Sequence, residues 1–145
     1  MVRRLVKDNR ERRRMREADY GVQDDDEFAV AIGAGTDDKE TAAVLRKALA
    51  EYSRGLRPEQ ITAAMPMEAF ILKRNQRWFD DGWDPGDVVM EMEDCFGKAL
   101  PGLETGWFNL EKGLTVGEFV KRISGELSNR RIKDQSGCLD RTSLP

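Results

Sequence analysis

The chain has 145 residues, a formal net charge of −3, 39% hydrophobic and 35% charged residues, and no histidine. That balance is polar for a globular chain, so it predicts one small core with charged extensions. With Cys95 and Cys138 as the two thiols, the usual zinc spacings and imidazole acid–base catalysis are excluded.

The first sixteen positions hold eight basic residues: Arg3, Arg4, Lys7, Arg10, Arg12, Arg13, Arg14 and Arg16. As a helix this stretch offers Leu5, Val6 and Met15 as large apolar residues, scattered rather than striped. Two readings follow. The segment is a basic arm that finds phosphates or an acidic protein surface. Alternatively it is a frayed terminus whose charge is partly offset by Asp8, Glu11 and Glu17. The acidic run Asp24-Asp25-Asp26-Glu27 lacks a second ligand group for a cation, and local attraction to the basic arm accounts for it. Residues 1–36 are therefore expected to form a flexible charged extension. The longest apolar run, Phe28 to Ala34, is too short to cross a membrane. Nothing resembles a signal peptide, so the expectation is a soluble, cytoplasmic protein without a membrane partner.

From Asp37 the pattern tightens. Asp37 and Glu40 predict an N-cap with a capping box, Val44, Leu45, Ala48, Leu49 and Tyr52 form one face, and Gly55 ends the helix. Arg57-Pro58-Glu59 starts a short element. Pro66 opens another helix, in which Met67, Phe70, Ile71 and Trp78 align and Arg74 interrupts the stripe, before Asp80-Asp81-Gly82 breaks it. Asp84 is the expected N-cap of the next helix, Pro85 fits its first turn, and Gly97 is its natural stop. In it Val88, Val89, Met92, Cys95 and Phe96 fall within an arc of roughly 120°. Asp84, Asp87, Glu91 and Asp94 fall within about 80° on the other side, and Met90 interrupts that flank with no core to face. Leu103, Trp107, Phe108 and Leu110 lie in the following loop, available to plug a bundle. Thr115 and Glu118 predict a second capping box, and Val116, Phe119, Val120, Ile123 and Leu127 form the last stripe. No alternating run suggests a sheet. The predicted fold is an all-α, small helical bundle over residues 37–127, with a polar tail at 128–145.

Three stretches, Leu56–Phe70, Val88–Pro101 and Leu114–Ile123, resemble acyl carrier proteins and their peptidyl-carrier relatives in order and spacing. They match the family's long loop, its acidic second helix with a Phe-Gly exit, and its last helix opened by Thr-Val-Gly. The resemblance implies a carrier-like bundle whose second helix recognises partners through acids around an exposed apolar residue. It also implies a phosphopantetheine-bearing serine at the start of that helix, and here the chain departs from the pattern. The position falls on Gly82 or Pro85, depending on the alignment, and no serine lies between Ser53 and Ser124.

The expected function is a non-pantetheinylated, carrier-like protein–protein interaction module. Asp84, Asp87, Met90, Glu91 and Asp94 would dock a partner with a basic surface. The bland account of the same acids is that they keep a small bundle soluble. The alternatives are a nucleic-acid-associated or regulatory protein acting through the basic arm, and a divergent acyl carrier that is still functional. No nucleophile–base constellation, Gly-rich phosphate loop or metal spacing supports an enzyme, and no cofactor or metal is expected.

Overall fold

A computed structural model describes the backbone of residues 2–73, 85–100, 110 and 113–128, and the side chains of these apart from 2–9, 36 and 37. The described residues form an all-α bundle. Its helices are α1 (Val2–Glu17), α2 (Asp25–Ile32), α3 (Thr36–Ser53), α4 (Met67–Lys73), α5 (Pro85–Phe96) and α6 (116–128), with a 3₁₀ turn at Pro58–Gln60. Among the described residues there is no strand; a single antiparallel bridge joins Pro66 to Thr115.

Local chemistry bounds these helices. At α2, Asp24 accepts from the Glu27 amide at 2.7 Å while the Glu27 carboxylate accepts from the Asp24 amide at 3.2 Å. The two bonds satisfy two of the free N–H groups at the helix start. Gly33, in the left-handed region at φ 70°, ends the helix. At α6 the predicted box is present: Thr115 Oγ1 accepts from the Glu118 amide at 3.2 Å, and the Glu118 carboxylate accepts from the Thr115 amide and hydroxyl. At the far end of α6, Ser128 Oγ donates to Asp38 of α3 at 2.7 Å.

The core lies where α3, α5 and α6 face one another over the loop between the 3₁₀ turn and α4. Leu45, Leu49, Val88, Met92, Phe119 and Ile123 are buried, as their stripes predict. Phe96 is only half-buried, a correction that follows from its place at the edge of the α5 stripe. Tyr52 of α3 stacks on Phe70 of α4, ring centroids 6.4 Å apart.

The loop 61–67 is the hub of the fold. On one side Thr62 Oγ1 donates to Tyr20 O at 3.0 Å, and Gln23 Oε1 accepts from the Ala63 amide at 2.9 Å. On the other side the amides of Val116 and Gly117 donate to the carbonyls of Met65 and Ala63, and the Met67 amide donates to Leu114 O. Each such bond contributes about 1 kcal/mol net, and leaving a buried partner unmet costs more. Gly117 is required there by space. A Cβ on it would stand 2.9 Å from Ala63 O and 3.1 Å from Cγ2 of Ile32 in α2. This one position joins the hub, α2 and α6.

Several expectations are corrected. Residues 1–36 are not a loose extension. Phe28 and Ile32 of α2 belong to the core, and α1 packs on α4 through Met15. Lys73 of α4 donates to the carbonyls of Arg16 at 2.9 Å and Ala18 at 2.5 Å, meeting the exposed carbonyl end of α1 with a cation. Among the described residues the acidic run finds its partners in its own helix cap and in α3 rather than in the basic arm. Asp24 and Glu27 form the cap of α2, Asp25 pairs with Arg46 at 2.6 Å, and Asp26 pairs with Lys39, both from α3. Helix α3 starts after Gly35 rather than at Asp37, and Arg54, at φ 58°, takes the left-handed C-terminal position expected of Gly55. Ser53 eases that exit, donating to Ala50 O at 2.7 Å and accepting from the Leu56 amide at 3.0 Å. Outside the described residues lie Arg74, Trp78, Asp80 to Asp84, Leu103, Trp107, Phe108 and residues 129–145.

Candidate interaction face

Helix α5 is placed by its apolar side. Val88 and Met92, four residues apart, are buried against α3, and Val89 and Phe96 pack at the edges. At 100° per residue, Met90 then lies about 180° round from the Val88–Met92 stripe. It is 64% exposed, one of three large hydrophobic residues so exposed among those described; the others are Val22 and Val30. Pro85 is half-buried at the first residue of the helix, and Gly97, at φ 69°, closes it. The Lys98 amide donates to Glu93 O at 3.2 Å across that closure, which ends the twelve-residue helix.

Of the predicted face, Asp87 and Asp94 are exposed beside Met90. Their spacing of three and four residues from it makes all three neighbours on one surface. Glu91 is half-buried and sits toward the margin of the face. Asp84 lies outside the described residues. Neither Glu91 nor Asp94 has an ion pair among the described residues. Glu93, half-buried on the opposite flank, accepts from the Leu100 amide at 3.3 Å and braces the exit of the helix. Reading the phase of α5 from Val88 and Met92 alone would have found Glu93 and demoted Glu91.

Cys95 senses the electrostatics of this edge. Burial is the main cause that pushes its thiol above the ordinary range. Lys47 opposes the shift, and Glu51, Glu91 and Asp94 add to it. The thiol is therefore held in its protonated, unreactive form near neutral pH.

The basic arm forms a second charged surface. Arg10, Arg12, Arg13, Arg14 and Arg16 are exposed on α1, and Arg13 pairs with Glu17 at 3.1 Å. The side chains of Arg3, Arg4 and Lys7 lie outside the described residues. A groove of about 410 Å³ between α1 and α4 is lined by Glu11, Arg12, Met15, Glu68, Ile71 and Leu72. The acidic and basic surfaces occupy different elements, with α5 on α3 and α1 on α4.

Of the two predicted positions for the missing serine, Gly82 lies outside the described residues and Pro85 opens α5. Ser53 and Ser124 are both buried. Among the described residues no group of three or more His, Cys, Asp or Glu is arranged to hold a metal ion, and no helix is long and apolar enough to cross a membrane. No known protein family, curated protein or solved structure matches this chain.

Proposed function

We propose that this chain is a non-enzymatic interaction module, acting in the cytoplasm, whose α5 face docks a protein partner with a basic surface. The observation that carries the reading is Met90, exposed on the side of α5 opposite its buried stripe, with Asp87 and Asp94 beside it. An apolar anchor within a charged rim is how small docking surfaces divide their labour. The anchor supplies the desolvated contact, and the rim sets orientation and association rate. The resemblance to carrier proteins supports the same surface, because that family's acidic second helix recognises its partners. The module would carry no phosphopantetheine, since Gly82 and Pro85 have no hydroxyl and Ser53 and Ser124 are buried. Intact mass after incubation with a phosphopantetheinyl transferase should equal that of the unmodified chain; an adduct would restore the reading as an acyl carrier. The direct test is a pull-down with wild type and with Asp87→Lys/Asp94→Lys. A partner held by wild type and released by the variant supports the face, and equal retention by both removes it.

A second reading has its own observation. Helix α1 is fixed to the bundle by Lys73 and Met15, so its arginines form a standing basic surface suited to a nucleic-acid backbone. Under this reading, binding to duplex or single-stranded nucleic acid falls steeply with salt and is lost in Arg10→Glu/Arg14→Glu. Binding that ignores both would exclude it.

A further inference from the structure

We propose that α1 is a detachable arm: residues 10–18 leave the bundle as a unit while the other helices stay folded, and Lys73 is the clasp that seats them. The inference is independent of both docking readings, since it concerns how the arm is held and not what it meets. Among the described side chains of α1, Met15 is half-buried and the rest are exposed. A helix seated through so little apolar surface opens at a small fraction of the cost of global unfolding. The rest of the hold is polar and converges on one group. The Ala18 amide donates to Arg14 O at 2.9 Å and closes the last turn. Beyond that bond the carbonyls of Arg16 and Ala18 lie past the reach of helical donors. Lys73 Nζ, from α4, donates to them at 2.9 and 2.5 Å and stands 5.6 Å from the Tyr20 ring centroid. A cation is favoured both at the carbonyl end of a helix and over an aromatic face.

The ties on the two sides of Asp19 differ. On the arm's side, among the described residues, the two bonds from Lys73 are the hydrogen bonds that join residues 10–18 to another element. On the far side the chain is sewn to the hub. Tyr20 O accepts from the buried Thr62 at 3.0 Å, the Gln23 amide donates to Glu59 O at 3.0 Å, and Gln23 Oε1 accepts from the Ala63 amide at 2.9 Å. Asp19 itself is exposed, and its carboxylate accepts from the Gly21 amide at 2.9 Å, a turn that belongs to the hub side. Rotation at Asp19 therefore frees the arm for the loss of the Lys73 bonds and the Met15 packing, and leaves α2 and the hub in place. Opening withdraws Met15 and Arg12 from the groove they share with Ile71 and Leu72, and turns a seated basic helix into a tethered one.

Hydrogen exchange of the full chain, followed amide by amide by NMR between zero and about 1 M urea, separates the outcomes. In wild type the amides of residues 14–18 should be protected, yet exchange about 100-fold or more faster than those of Leu49 in α3 and Val120 in α6, after correction for intrinsic rates. Their rates should stay nearly flat as urea rises, because a local opening exposes little surface, while those of Leu49 and Val120 climb. Lys73→Met keeps the length of the side chain and removes its charge. It should speed residues 14–18 by roughly ten-fold and leave Leu49 and Val120 within about two-fold of wild type. Should Lys73→Met disturb folding, Lys73→Gln, which keeps an N–H donor, takes its place with a smaller effect in the same residues. Exchange of residues 14–18 at the rate and urea dependence of Leu49 overturns the inference, because α1 would then unfold only with the whole. A complete lack of protection overturns it too, since no seated state would exist. A local opening indifferent to Lys73, or a Lys73 variant that speeds all helices alike, removes the clasp.

Discussion

Helices α2 and α5 are both short, both acidic and both ended by a left-handed glycine, Gly33 and Gly97, yet their carboxylates have different fates. In α2 every acid of the first turn works inside the molecule. Asp24 and Glu27 cap the helix, Asp26 holds Lys39, and Asp25 meets the buried guanidinium of Arg46. In α5 two of the acids, Glu91 and Asp94, have no such partner among the described residues, and the helix is held through Val88 and Met92 instead. The difference separates charge that specifies a fold from charge that faces outward. The first is recognisable by a buried counter-ion, the second by an apolar side chain left exposed beside it.

The sharpest way to break this contrast is to remove Arg46. Its side chain is 2% exposed, donates to Gln23 O at 2.8 Å and to Asp25, and lies 4.9 Å from the Phe28 ring centroid. Arg46→Ala loses these bonds and opens a cavity, at a cost of about 3 kcal/mol in chemical unfolding. Part of the ion pair is screened, because Asp25 is 59% exposed. A change below about 1 kcal/mol would mean that α2 is held by Phe28 and Ile32 alone. Gly117→Ala acts on the same region from the other side. The new methyl would press on Ala63 O and Ile32, and should destabilise by about 1–3 kcal/mol. A neutral result would show that α6 can slide away from the hub. Asp24→Ala removes one capping bond and should cost about 1 kcal/mol. The matched change in α5, Asp94→Lys, should alter the unfolding free energy by no more than about 0.5 kcal/mol. A larger loss there would make Asp94 structural and erase the distinction.

Much of this arrangement was legible from side-chain pattern. The stripes of α3, α5 and α6, the Thr115–Glu118 box and the outward position of Met90 follow from spacing, because burial and capping act on residues three and four apart. Arg46 was not legible. It lies on the edge of the α3 stripe nearest α2, and a charged residue in such a pattern reads as solvent-facing until its partner is placed 21 positions upstream. The role of loop 61–67 was hidden for a different reason: it works through backbone amides and carbonyls, which carry no signature in residue type. The exit of α3 at Arg54 rather than Gly55 is a shift of one residue, within the fraying expected of helix ends. The N-terminal region carries little pattern because, among its described side chains, α1 reaches the core through Met15, and α2 is only eight residues long. On the candidate face, Asp87, Met90 and Asp94 stand where their spacing put them. Glu91 does not, since the true centre of burial is set by Val88 and Met92 rather than by the whole apolar arc.

Under the proposed function, Met90 and the acids beside it form one docking surface. The most direct measurement is an NMR titration of the isotope-labelled chain with a helical peptide that carries basic residues around a single leucine, repeated with Met90→Ala. The account predicts amide perturbations centred on Asp87, Met90 and Asp94, and an affinity about ten-fold lower for Met90→Ala at unchanged charge. Perturbations centred elsewhere, or an affinity indifferent to Met90, would contradict it and leave the acids of α5 as a solubilising surface.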